Sequence, residues 1–121
     1  MSYPTTGDKY VIPKGSIVRC YVCFGEFLLG NETIEATPSV TEVDTSALTI
    51  ANVARVSGST VVPVGSPLYG YPEDRTISNR CGLYFTVTSS EPGDYVIKAE
   101  ADTSDHSPAQ KLVKLCRITI E

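Results

Sequence analysis

One stretch restricts what this chain can fold into more than any other: Glu-Pro-Gly-Asp-Tyr-Val-Ile-Lys-Ala-Glu-Ala-Asp, residues 91–102. Pro92-Gly93 reads as a turn, because proline presets one turn dihedral and glycine takes positive φ without a steric penalty. After it, Tyr95, Ile97, Ala99 and Ala101 alternate with Lys98, Glu100 and Asp102. A helix would scatter those apolar residues around its circumference. A strand places them all on one face, so the pattern predicts a half-buried strand. A polar loop, Thr103 to Gln110, and a last apolar strand, Lys111 to Glu121, follow it.

The rest of the chain also reads as strands. Ser16 to Leu29 carries Ile17, Val18, Tyr21, Val22 and Phe24, apolar on both sides, with Gly25 marking a bulge or bend. Gly30-Asn31 is a hairpin-type turn into Glu32–Val43, where Pro38 interrupts the ladder and predicts an edge strand or a change of sheet. In Ala47–Ser57, Leu48 and Ile50 share a face that Val53 does not fit. Thr60–Val64 precedes a loop from Gly65 to Asn79. In Arg80–Ser89, Cys81, Leu83, Phe85 and Val87 oppose Tyr84, Thr86 and Thr88. The terminal strand changes face between Leu115 and Cys116, which predicts a bulge near Lys114. No segment repeats apolar residues at helical spacing. The expected fold is all-β: an immunoglobulin-like antiparallel β-sandwich of about seven strands, with Tyr95 resembling a tyrosine corner. Residues 1–15, with Pro4, Gly7, Pro13 and Gly15, form an extended N-terminal arm with at most a short strand near Tyr10-Val11-Ile12, and residues 16–121 form the sandwich domain.

Charge and length exclude several partners. A net charge of -4 and 10 Lys plus Arg in 121 residues do not make the basic patch that nucleic acid or an anionic membrane demands. No apolar run reaches the ~18 residues of a membrane span. The N-terminus lacks a basic region followed by an apolar one. The expectation is a chain made in a cytoplasm and reduced while it folds.

Catalytic and metal chemistry find little support in the residues. Cys20 and Cys23 flank two strand formers, Tyr21 and Val22, so their thiols point to opposite faces, unlike the converging pair of a zinc knuckle. Cys81 and Cys116 are single. The four cysteines read as buried free thiols, with a Cys81–Cys116 disulfide as the alternative. His106 has Ser104, Asp105 and Ser107 beside it, but loop neighbours cannot converge as a triad does. Asp102 and Asp105 lack calcium-loop spacing. With no Gly-rich phosphate loop, the expectation is no enzyme, no cofactor and no metal. Exposed aromatics then become informative, since tyrosine is enriched at interfaces. Leu68, Tyr69 and Tyr71 in the Gly65–Asn79 loop, with Tyr3 and Tyr10 on the arm, are the candidate interface residues. The competing reading of the loop is a lid over an open end of its own sandwich.

Tyr21-Val22-Cys23-Phe24, then Leu28 or Leu29, then Gly30-Asn31-Glu32-Thr33-Ile34 resembles the opening of the small virion proteins called fibre–tail adaptors of tailed phages. Asp44 to Ile50, Tyr95 to Ile97, Thr103-Ser104 and Leu115 to Ile120 resemble that family's later strands and ending. Cys23 stands where the family has an acid, Phe24 where it has tryptophan, and Ser89-Ser90-Glu91-Pro92-Gly93 replaces a Ser-Gly-Gly turn. The resemblance implies a non-enzymatic structural protein of a tailed-bacteriophage virion, assembled in the host cytoplasm and acting by protein–protein contact. Its partners would be other virion proteins (tail, fibre or major capsid protein), with homo-oligomers inside the particle and neither nucleic acid nor membrane. A capsid decoration (cement) protein is the alternative, and a surface- or carbohydrate-binding module a second one, weakened by the absence of tryptophan.

Overall fold

Strand pairing organises the chain into two main sheets. The computed structural model describes residues 9–28, 32–62, 68–69, 75–103 and 108–121. Ten strand segments lie among them: β1 (Lys9–Ile12), β2 (Val18–Cys23), β3 (Ser39–Glu42), β4 (Thr49–Arg55), β5 (Thr60–Val62), β6 (Leu68–Tyr69), β7 (Arg75–Ile77), β8 (Gly82–Thr88), β9 (Gly93–Asp102) and β10 (Lys111–Ile120). The one helical element among the described residues is a 3-10 turn, Gly25–Phe27. Five strands form one sheet in the order β3-β9-β10-β1-β6 and three form another, β2-β8-β4, while β5 and β7 make a short ribbon. Second, fifth and fourth strands against third, sixth and seventh is immunoglobulin connectivity once β5, β6 and β7 are set aside as an addition between β4 and β8. The protein is an immunoglobulin-like β-sandwich.

Residues 91–102 fold as their alternation demands. Ile97, Ala99 and Ala101 are buried on the inner face of β9, with Lys98 and Glu100 on the outer. Gly93 has φ 153, and a Cβ there would come within 3.2 Å of the Tyr95 hydroxyl, so its bareness lets the Tyr95 ring fold back. That hydroxyl donates to the Glu91 carbonyl at 2.8 Å, the hydrogen bond of a tyrosine corner.

Four expectations are corrected. The terminal strand has no bulge: β10 pairs with β9 in unbroken register from Lys111 to Ile120. Leu112, Lys114, Cys116, Ile118 and Ile120 all face inward, because Lys114 is itself buried at 3 % exposure with its ammonium 5.5 Å from the Phe27 ring centroid. Val113 and Leu115 therefore lie outside. Secondly, the short strand expected near Tyr10-Val11-Ile12 is present as β1 (Lys9–Ile12), but it belongs to the sandwich and not to an arm beside it. It pairs in parallel with Arg117–Ile120 of β10, and flanking bonds from Lys14 N–H to the Glu121 carbonyl (2.7 Å) and from Glu121 N–H to the Ile12 carbonyl (2.9 Å) fasten it to its own domain. Residues 1–8 lie outside the described residues. Thirdly, the Gly65–Asn79 segment contains β6 and β7. Fourthly, Glu32–Val43 shortens to β3, which begins directly after Pro38 at the sheet edge, plus an isolated bridge between Ile34 and Thr103. The Gly30-Asn31 turn lies outside the described residues.

Val53 finds its explanation in a bulge. Between Ala51 and Ala54 the register of β4 on β8 shifts, with Asn52 at φ 57. Asparagine tolerates this left-handed conformation better than most residues. The extra residue returns Val53 to the core side, where it packs on the buried cluster.

Candidate interaction surface

The outer face of the three-stranded sheet gathers aromatic and hydroxyl side chains. Inward, Val18, Cys20 and Val22 of β2 stand opposite Val87, Phe85 and Leu83 of β8. Outward, Arg19 stands opposite Thr86 and Tyr21 opposite Tyr84, while β4 contributes Thr49, Ala51 and Ala54 beside Thr88, Thr86 and Tyr84. The Tyr21 and Tyr84 rings meet at 6.0 Å between centroids, tilted by 45°. The Arg19 guanidinium carbon lies 5.5 Å from the Tyr84 centroid, within cation–π range. Thr86 is fixed by donating to the Ala51 carbonyl at 3.2 Å and accepting from the Asn52 amide at 3.3 Å, so the bulge also anchors this face. Ile17, the residue before β2, is 74 % exposed. Arg19 is the one charge among these outward positions.

The expected interface residues fare differently. Tyr10 is 1 % exposed. It sits in β1 between Ile118 of β10 and Leu68 of β6, so it is a core residue and not an interface residue, buried because β1 closes the sheet that a loose arm would have left open. The backbone of Leu68 and Tyr69 pairs with Tyr10 and Lys9, which ties that segment to its own sheet. Their side chains, and all of Tyr3 and Tyr71, lie outside the described residues, as do Ser104, Asp105, His106 and Ser107.

The thiols divide into two neighbourhoods, and none of the four is in a disulfide. Cys20 on β2 faces Cys116 on β10 across the core. Burial pushes both up to about 12, and the nearby Cys116 charge adds to the effect on Cys20. Cys23 accepts a hydrogen bond from the Gly25 N–H at 3.4 Å and neighbours Cys81, whose pKa is raised by burial and by Cys23. The Cys81–Cys116 pairing is therefore replaced by two other proximities. Cys20 stands opposite Phe85 on the inner face and Cys23 opposite Gly82 on the other, so the two do not converge. Among the described residues no group of three or more His, Cys, Asp or Glu side chains is placed to hold a metal ion.

No protein-family model and no curated protein matches the chain. Among solved structures it is similar to an ASH / PapD-like domain of human CEP192 (PapD-like domain 7), at 10% identity and a TM-score of 0.38, covering 100% of this chain and 90% of that one.

Sequence reading missed the aromatic face for a definable reason. Tyr84, Thr86 and Thr88 are legible as an outward row in β8, but Tyr21 sits in a strand apolar on both sides. Only register brings the two tyrosines together.

Proposed function

We propose that this protein is a non-enzymatic structural component of a tailed-bacteriophage virion, a fibre–tail adaptor that joins other virion proteins through the outer face of its three-stranded sheet. One observation carries the reading: a Tyr21–Tyr84 pair with Arg19 laid over the Tyr84 ring, with no other charged residue at the outward positions of β2, β8 and β4 among the described residues. Interface centres are depleted of charge and enriched in tyrosine and arginine, so this face has the composition of a contact surface. The resemblance of the Tyr21–Phe24 strand and of the chain's ending to fibre–tail adaptors supports the virion setting. Copies of the chain act together in the particle, with tail or fibre proteins as neighbours.

The test is location. Mass spectrometry of purified particles is expected to find the chain in fixed stoichiometry, and a cryo-EM map is expected to place it where tail and fibres join. Absence from particles overturns the reading, and a position on the capsid shell replaces the adaptor with a decoration protein.

A further inference from the structure

The outer face of β2 carries a spacing that specifies more than a generic contact. Ile17, Arg19 and Tyr21 stand at every second residue, and on an extended chain that repeat is about 6.6 Å. Ile17 is largely exposed, Arg19 is exposed, and Tyr21 is half-buried against Tyr84. A second extended chain lying along β2 has the same repeat. Its alternate side chains would therefore fall in turn over Ile17, over the Arg19 guanidinium and over the tyrosine pair.

The size of the face points to such a narrow occupant. β2 has 6 residues, and β8 and β4 have 7 each. Three strands about 4.8 Å apart and ~3.3 Å per residue make a face of roughly 300 Å², well below the ~800 Å² that each partner buries in a stable complex. Two copies stacked face to face would fall short by the same measure. They would also bring two Arg19 cations and no carboxylate from the outward positions of either β2, β8 or β4. Charge complementarity selects another protein that supplies the acid.

We propose that this face binds an extended segment of a partner protein with the pattern apolar-x-acid-x-apolar, its carboxylate on Arg19 and its apolar side chains on Ile17 and on the Tyr21–Tyr84 pair. The inference rests on the docking role given to this face above and names the chemistry of what docks. Arginine is suited to the carboxylate because its planar fork holds both oxygens while its own face stays on the Tyr84 ring.

The experiment uses the purified full chain and three synthetic peptides, acetyl-Ala-Val-Ser-Glu-Ser-Val-Ala-amide and its Glu→Gln and Glu→Lys counterparts, followed by NMR titration. The expected result is shifts centred on Arg19, Tyr21 and Tyr84, with the glutamate peptide binding at least fivefold more tightly than the glutamine peptide. Arg19→Glu, at an exposed position, should keep the melting temperature and reverse the order, so that the lysine peptide binds best. Equal affinities for the three peptides, shifts centred elsewhere, or no binding overturn the proposal. The two readings fail separately. A chain that enters particles through Tyr21 and Tyr84 but does not discriminate the peptides loses only the segment. A chain that discriminates the peptides but is absent from particles loses only the virion role.

Discussion

The two outer faces of this sandwich are built on opposite rules. On the five-stranded sheet, β9, β10 and β1 turn out Lys9, Lys98, Lys111 and Arg117 together with Asp94, Glu100 and Asp102, interspersed with Val11, Val96, Val113 and Leu115. Its charges answer one another: Glu100 lies 3.0 Å from Lys98 and 3.3 Å from Lys111, and their hydrogen bonds hold its pKa below the usual carboxylate value. On the three-stranded sheet a single cation lies on an aromatic pair among threonines and alanines. The first face carries charges of both signs, with Glu100 paired to Lys98 and Lys111 within the chain. The second carries one cation over an aromatic pair and no carboxylate at its outward positions, and the comparison teaches that exposed apolar area alone does not mark a contact surface. Val113, 43 % exposed, sits beside the Glu100 network, and burying it against a partner would desolvate that network too.

The largest expected effect tests how the aromatic face is held. A Cβ on Gly82 would come 2.5 Å from the Val22 carbonyl oxygen and 2.8 Å from Ile77 Cγ2. The first contact is backbone and cannot swing away, so Gly82→Ala should force β2 from β8. Urea unfolding should register a loss of about 3 kcal/mol, and the Tyr21–Tyr84 contact should loosen with it. A neutral result would show that the two strands slide freely and that the tyrosine pairing is not fixed by register.

Tyr95→Phe removes one exposed hydroxyl bond at the start of the five-stranded side and should lower the melting temperature slightly without altering the three-stranded face. Alkali should act on the interior that both sheets share. Cys20 and Cys116 are raised from 9.0 to about 12, so the folded state holds their protons more firmly than the unfolded chain does. The stability gained is complete below pH 9 and is lost as pH rises toward 12. Melting temperatures measured between pH 8 and 11 should fall across that window. A thiol reagent at neutral pH should label Cys81 first, with Cys20 and Cys116 reacting only on unfolding.

The smallest effect belongs to the charged face. Lys98→Glu with Glu100→Lys should change stability by less than about 0.5 kcal/mol, because exposed ion pairs are weak and screened. The depressed Glu100 pKa adds a slight stabilisation that is present at neutral pH and fades as pH falls through its folded value, and 0.5 M salt should flatten that dependence.

Local patterns in the sequence reached as far as local physics does. β9 is legible because a turn and a two-residue period coincide there. Val53 is legible only as an anomaly, since its resolution needs Asn52 to bulge against Thr86 on another strand. β10 is misread from sequence because hydrophobic patterning assigns lysine to the surface. Once Lys114 is accepted inside, with its ammonium over Phe27, the alternation from Leu112 to Ile120 needs no interruption. Tyr10 is missed because its burial depends on a parallel pairing with the far end of the chain. The aromatic face is not legible in sequence for the same reason: Arg19 and Tyr84 are separated by most of the domain, and neither is unusual alone.

Particle incorporation of two paired variants tests the central claim most directly. Tyr21→Ala with Tyr84→Ala should reduce incorporation by the equivalent of ~1 to 4 kcal/mol, measured at a temperature where the variant is folded, because both half-buried rings also pack on the core and their loss should cost folding about 2 kcal/mol. Lys98→Glu with Glu100→Lys should incorporate as the parent does. If the charge variant is excluded from particles while the tyrosine variant enters normally, the roles of the two faces are the reverse of those argued.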